Sequence, residues 1–135
     1  MGGVMRAAGY IRNDGDAQTM LQQCDKALKS GQNILVFPEG TRSVPGQDLK
    51  FQRGVANIAT FFNAPIQLVI IKCEPSTLTK GSPWYEIPPR QARFDITFHE
   101  QLDMHGYLRH EPRSLKVRKL TRELEQYYVG KLCNE

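Results

Sequence analysis

The sequence predicts an α/β domain in which a central, mostly parallel or mixed sheet carries helices on its faces. Three observations predict it. Short apolar runs rich in β-branched residues occupy residues 34–37 and 66–71. Helical apolar spacing precedes, separates and follows them. A strand-type alternation then runs from Ala92 to Phe98. Strands alternating with helices are most simply packed as a sheet with helices against it, and sites in such sheets lie beyond the carboxyl ends of strands.

The elements follow in order. Residues 7–11 read as a short strand, and Asn13, Asp14, Gly15 and Asp16 as a turn able to cap a helix. From 16 to 30 the apolar positions Ala17, Met20, Leu21, Cys24, Ala27 and Leu28 recur at helical intervals, and Gly31 suits the left-handed residue that ends a helix. The run at 34–37 has the unbroken apolarity of a strand buried on both faces. Residues 44–50, with Pro45 and Gly46, read as a loop. Residues 54–63 read as a second helix with Val55, Ile58, Ala59 and Phe62 on one side, and 66–71 as a second buried strand. Four prolines and Gly81 make 74–90 a Pro-rich loop. Ala92, Phe94, Ile96 and Phe98 alternate with Arg93, Asp95 and Thr97, a half-buried strand. A C-terminal helix is expected over 114–133, with Val117, Leu120, Leu124, Tyr127 and Tyr128 on one face.

The 135 residues suffice for one domain with a core. The formal net charge is +4, and the basic excess is spread evenly along the chain, which argues against a nucleic-acid-binding arm. A mild basic bias suits an anionic substrate or membrane surface. Cys24, Cys73 and Cys133 are far apart and lack the paired spacing of a zinc site or disulfide framework, so a reducing compartment is expected. No signal peptide and no apolar run of membrane-spanning length is read in the sequence.

The chemistry concentrates in NILVFPEGTRS, residues 33–43. An apolar run ends in Phe37 and Pro38 and is followed at once by Glu39, Gly40, Thr41, Arg42 and Ser43. The guanidinium of Arg42 is a planar fork that matches a pair of phosphate oxygens. Gly40 lets a ligand approach the backbone, and Thr41 and Ser43 can donate to phosphate oxygens. Glu39 can accept from a glycerol hydroxyl or hold Arg42. Lys50, Arg53 and Gly54 follow at a helix start, where free N–H groups and the dipole favour anions. This is an anion site suited to phosphate. The plainer reading of the same residues is a polar loop with a surface Glu39–Arg42 pair.

VFPEGTRS, residues 36–43, resembles the third sequence block of the glycerolipid acyltransferases, the family of 1-acylglycerol-3-phosphate acyltransferases. Arg6 to Ile11 followed by Asn13 and Asp14 resembles that family's second block. Lys50, Phe51, Arg53 and Gly54 resemble the segment after the third, and Ala64, Pro65 and Ile66 through Ile71 the fourth, where Leu68 stands near a usual proline. The resemblance covers roughly residues 5–75. It implies one incomplete acyltransferase domain over 1–135. It implies transfer of an acyl group from an acyl thioester, on coenzyme A or acyl carrier protein, to the hydroxyl of a lysophospholipid acceptor. Glu39, Gly40 and Arg42 would bind the acceptor, with Arg42 on its phosphate. No cofactor beyond the acyl donor is called for, and the protein is expected to be peripheral on the cytoplasmic face of a membrane.

Acyl transfer to an alcohol needs a general base, which the family supplies as a histidine, four residues and an aspartate ahead of the second block. The sequence begins just before the segment that resembles the second block, so the expectation is an acceptor-binding portion without that pair. The alternative is a non-catalytic lipid-phosphate-binding module or the product of a degenerate gene. His99 is followed by Asp103 at one residue too few, on strand-like sequence, and reads as a histidine beside a turn. His105 and His110 lie in polar sequence, and Cys24 and Cys73 read as structural.

Two surfaces remain. Trp84 and Tyr85 stand among prolines with Lys80 and Arg90 at the flanks, fit either for a membrane interface or for packing onto the domain. Residues 109–122 hold six Lys/Arg against Glu111, a face for anionic headgroups or an acidic carrier, or a plain solvated face. No stacking aromatics or groove-reading motif accompany these charges, so nucleic acid is not expected as a partner.

Overall fold

The computed structural model describes residues 9–11, 15–41, 48–77, 79–83 and 85–133. Arg42, Ser43 and Trp84 lie outside the described residues, as do residues 7 and 8 of the expected first strand and 13 and 14 of the expected capping turn; the described remainder of that strand, 9–11, is not strand. The chain divides between Val36 and Phe37 into two units.

The first unit contains helix α1, Ala17–Lys29. It starts where the sequence places a cap: the Asp16 carboxylate accepts from the Thr19 N–H at 3.3 Å. It stops in a Schellman arrangement. The Gly31 N–H donates to the Leu28 carbonyl and the Gln32 N–H to the Ala27 carbonyl, both at 3.0 Å. Gly31 takes φ +74°, the left-handed conformation this ending requires. Cys24 is buried on the helix's apolar face, where desolvation raises its thiol pKa, so it is a structural residue.

The strand expected at 34–37 is not formed. Leu35 is 74% and Phe37 65% exposed, and neither enters a ladder. Apolarity alone does not make a strand; its N–H and C=O groups need a neighbour. The sheet among the described residues is a pair, β1 (Ile66–Glu74) and β2 (Arg93–Leu102), and it is antiparallel, where a mostly parallel or mixed sheet was expected. At Val69 the β1 backbone is also engaged away from β2. Its N–H donates to the Tyr128 hydroxyl at 3.1 Å, and that hydroxyl donates to its carbonyl at 3.0 Å. The mixed α/β character holds; the parallel sheet does not appear among the described residues.

The second unit adds helices α2, Gly54–Phe62, and α3, Arg113–Cys133. Ala56 and Ala59 of α2, Leu68 of β1, Met104, and Val117, Leu120 and Leu124 of α3 form one buried cluster. Two alanines let the α2 backbone approach α3 closely. This is why α2 buries Ala56 and Ala59, while Val55, Ile58 and Phe62, expected on the inner face, are only half-buried. The α3 face is the one its spacing predicts. A register shift opposite Leu68 places two β2 residues, His99 and Glu100, against one. This bulge reverses the parity of the strand. Leu102 therefore packs on the core while Phe94, Ile96 and Phe98, expected half-buried, stand exposed.

Replacing Leu120 by Ala is expected to lower the unfolding free energy by about 2–5 kcal/mol in urea titration, and a loss under about 1 kcal/mol would deny the cluster its central role. Alkaline pH supplies a second check. Burial, then the hydrogen bond to Glu123 (2.7 Å) and its charge, raise the Tyr107 pKa. A raised folded-state pKa means stability fully present below the unfolded value, about 10, and lost as pH rises beyond it. Tyr107→Phe is expected to reduce the fall in urea midpoint above that pH; an identical fall would contradict the assignment.

Candidate functional site

The segment FPEG becomes a tight turn because its chemistry favours one. The Gly40 N–H donates to the Phe37 carbonyl at 3.2 Å, with Pro38 and Glu39 between. Gly40 sits at φ +69°, and a Cβ built there would lie 3.0 Å from Cγ of Gln52. The conformation and the close approach both call for glycine. Glu39 is half-buried, and Gly40 and Thr41 are exposed.

The turn lies against the segment before α2. The Gln52 N–H donates to the Pro38 carbonyl at 2.7 Å. Phe51, one residue back, is tied to α3: its N–H donates to Glu125 Oε2 at 2.8 Å, and its ring meets that of Tyr128 edge-on at 5.4 Å. Lys50 and Arg53, on either side of these anchored residues, are exposed. Arg53 occupies the N-cap position of α2, and its side chain makes no capping hydrogen bond; the first-turn amides beginning at Gly54 have no partner within the helix. Within one unit, two basic side chains, an uncapped helix start and the Glu39–Thr41 turn therefore share one neighbourhood. Such a collection can bind an anion with oxygens in several directions.

Of the expected site residues, the structure brings together Glu39, Gly40 and Thr41 with Lys50, Arg53 and Gly54, while Arg42 and Ser43 lie outside the described residues. Sequence reasoning missed Gln52, Glu125 and Tyr128. Phe51 offered a partial signal, an aromatic residue set between polar and charged neighbours; nothing in the sequence connects it to a helix 74 residues away.

The remaining candidates do other work. His99 lies on β2 with its ring 6.2 Å from that of Tyr127. Asp103 does not orient it; the Asp103 carboxylate accepts from the His105 N–H at 2.8 Å. Cys73 lies near the Pro75 carbonyl and the Thr77 hydroxyl, at 3.5 and 3.7 Å, and the Cys133 side chain lies outside the described residues. Among the described residues no three His, Cys, Asp or Glu side chains converge as metal ligands. In the Pro-rich loop, Tyr85 and Ile87 are exposed and border an open groove of about 740 Å³. On α3, Arg113 stacks over the Phe61 ring at 4.8 Å, while Arg118, Lys119 and Arg122 are solvated. No helix among the described residues is long and apolar enough to cross a membrane.

A family model described as Acyltransferase matches residues 1–72, just over half of the chain. No curated protein and no solved structure matches it. The matched span contains the turn, Lys50, Arg53, the whole of α2 and most of β1, and ends before β2 and α3.

Gly40→Ala is expected to lower stability by about 1–2 kcal/mol, because the left-handed backbone and Gln52 both resist a Cβ. An unchanged urea midpoint would mean that the turn relaxes without cost.

Proposed function

Because the chain belongs to the acyltransferase family, we propose that it carries the acceptor site of an enzyme transferring an acyl group from coenzyme A or acyl carrier protein to a lysophospholipid such as 1-acylglycerol-3-phosphate. One observation carries the reading: the Phe37–Gly40 turn is hydrogen-bonded, through the Pro38 carbonyl and the Gln52 N–H, to the segment holding Lys50 and Arg53 ahead of α2. In this reading the phosphate lies between Arg42, Lys50, Arg53 and the amides from Gly54, with Thr41 and Ser43 donating. Glu39 accepts from a glycerol hydroxyl. The hydroxyl to be acylated loses its proton to a general base as it attacks the thioester carbonyl, and the thiol departs. No cofactor beyond the donor takes part. Exposed Tyr85 and Ile87 and the basic face of α3 support a protein that works on the cytoplasmic surface of a membrane.

A second reading, a lipid-phosphate-binding module without turnover, draws on the histidine geometry: the Asp103 carboxylate serves the His105 backbone and leaves His99 against an aromatic ring. Thiol release from acyl-coenzyme A in the presence of lysophosphatidate separates the two. Sustained release supports the enzyme; binding without release supports the module.

Arg42→Ala and Arg53→Ala are each expected to weaken lysophosphatidate binding about 10- to 100-fold, the worth of a charge-assisted hydrogen bond, while binding of the uncharged monoacylglycerol changes little. Equal weakening of both ligands, measured by titration calorimetry, would remove these residues from the phosphate role.

A further inference from the structure

We propose that Glu125 is a positioning residue for the phosphate-binding segment, so that α3, which lies beyond the family-matched residues 1–72, sets the geometry of the acceptor site. The inference rests on the reading that residues 39–41 and 50–54 take the acceptor's phosphate.

Residues 48–52 belong to no helix or strand, so nothing within the segment fixes its course. Lys50 and Arg53 would point in many directions, and a ligand would have to order them at an entropic cost. Phe51 removes that freedom through two contacts with one helix. Its N–H donates to Glu125 Oε2 at 2.8 Å, a charge-assisted bond between half-buried groups, and its ring rests on that of Tyr128. Glu125 and Tyr128 are three residues apart and share a face of α3. Tyr128 is in turn clasped to the Val69 backbone of β1 by two hydrogen bonds. From Phe51 the constraint passes to Gln52, whose N–H holds Pro38 and whose side chain lies under Gly40. The carboxylate of Glu125 thus holds the 50–53 segment and the Glu39–Thr41 turn in mutual register without itself being placed among the phosphate donors.

The test uses the intact chain with Glu125→Ala, Glu125→Leu and Glu125→Gln. Glu125→Leu keeps bulk while removing the acceptor; Glu125→Gln keeps an acceptor oxygen. Lysophosphatidate and monoacylglycerol are the calorimetric probes, and ¹H–¹⁵N spectra report the backbone. Glu125→Ala and Glu125→Leu are expected to weaken lysophosphatidate binding roughly tenfold, and to shift the amide resonances of Gly40 and Gln52 as well as Phe51. Glu125→Gln is expected to restore most of the affinity and of the native shifts. The proposal is overturned if Gly40 and Gln52 stay unmoved, if the Leu variant binds as tightly as wild type, or if the Gln variant is as impaired as Leu. Should the wild-type chain bind no lysophosphatidate, the phosphate reading falls. The Gly40 and Gln52 shifts then still decide whether Glu125 holds the turn.

Discussion

The packing of α3 onto α2 and β1 is the constraint on which the second unit depends. Leu120 and Leu124 enter one buried cluster with Ala56, Ala59 and Leu68, and the small residues on α2 set how near the helices come. Apolar burial of this kind contributes about 25 cal/mol for each Å² removed from water, so a few large side chains against two alanines can stabilise a small unit. The same helix then places polar groups at its margin. Tyr128 completes the hydrogen bonding of Val69, and Glu125 takes the amide of Phe51. Stability and site geometry therefore come from one interface.

The site gathers donors rather than a pocket. A turn closed by Gly40, an exposed lysine and arginine, and a helix start whose N-cap side chain makes no capping bond bring positive charge and helix N-terminal N–H groups near one another. A phosphate ester answers both. Membership of the acyltransferase family gives this arrangement its chemical context; in the proposed reading, an acceptor held by its phosphate would present its hydroxyl at a defined place. The row Phe94, Ile96 and Phe98 is exposed. It results from the bulge at His99 and Glu100, which turns the strand's apolar positions away from the helices.

The helices were legible in the sequence because their signals are local. Asp16 caps α1 and Gly31 ends it, and the apolar period of α3 marks the face it buries. The turn at Phe37–Gly40 was not read as one: the sequence offers Gly40 as room for a ligand, although proline and glycine together are a local turn signal. Strand pairing was not legible. The run at 34–37 has the composition of a buried strand, yet Leu35 and Phe37 are exposed, because pairing depends on which backbone edges are available and no local residue encodes that. The alternation at 92–98 was read correctly as a strand and incorrectly as half-buried, since one extra residue in the ladder inverts the faces. Lys50, Arg53 and Gly54 could be named from charge and a helix start. Glu125 could not, because its bond to Phe51 joins residues 74 positions apart.

The most direct measurement of the central claim is an amide-resolved NMR titration of the intact chain with lysophosphatidate, run beside monoacylglycerol of the same acyl length. The account predicts that lysophosphatidate perturbs the amides of Gly40, Thr41, Lys50, Arg53 and Gly54 in a saturable way, and that the uncharged lipid leaves them in place. Perturbations of equal size from both lipids, or confined to β2 and the Pro-rich loop, would contradict it.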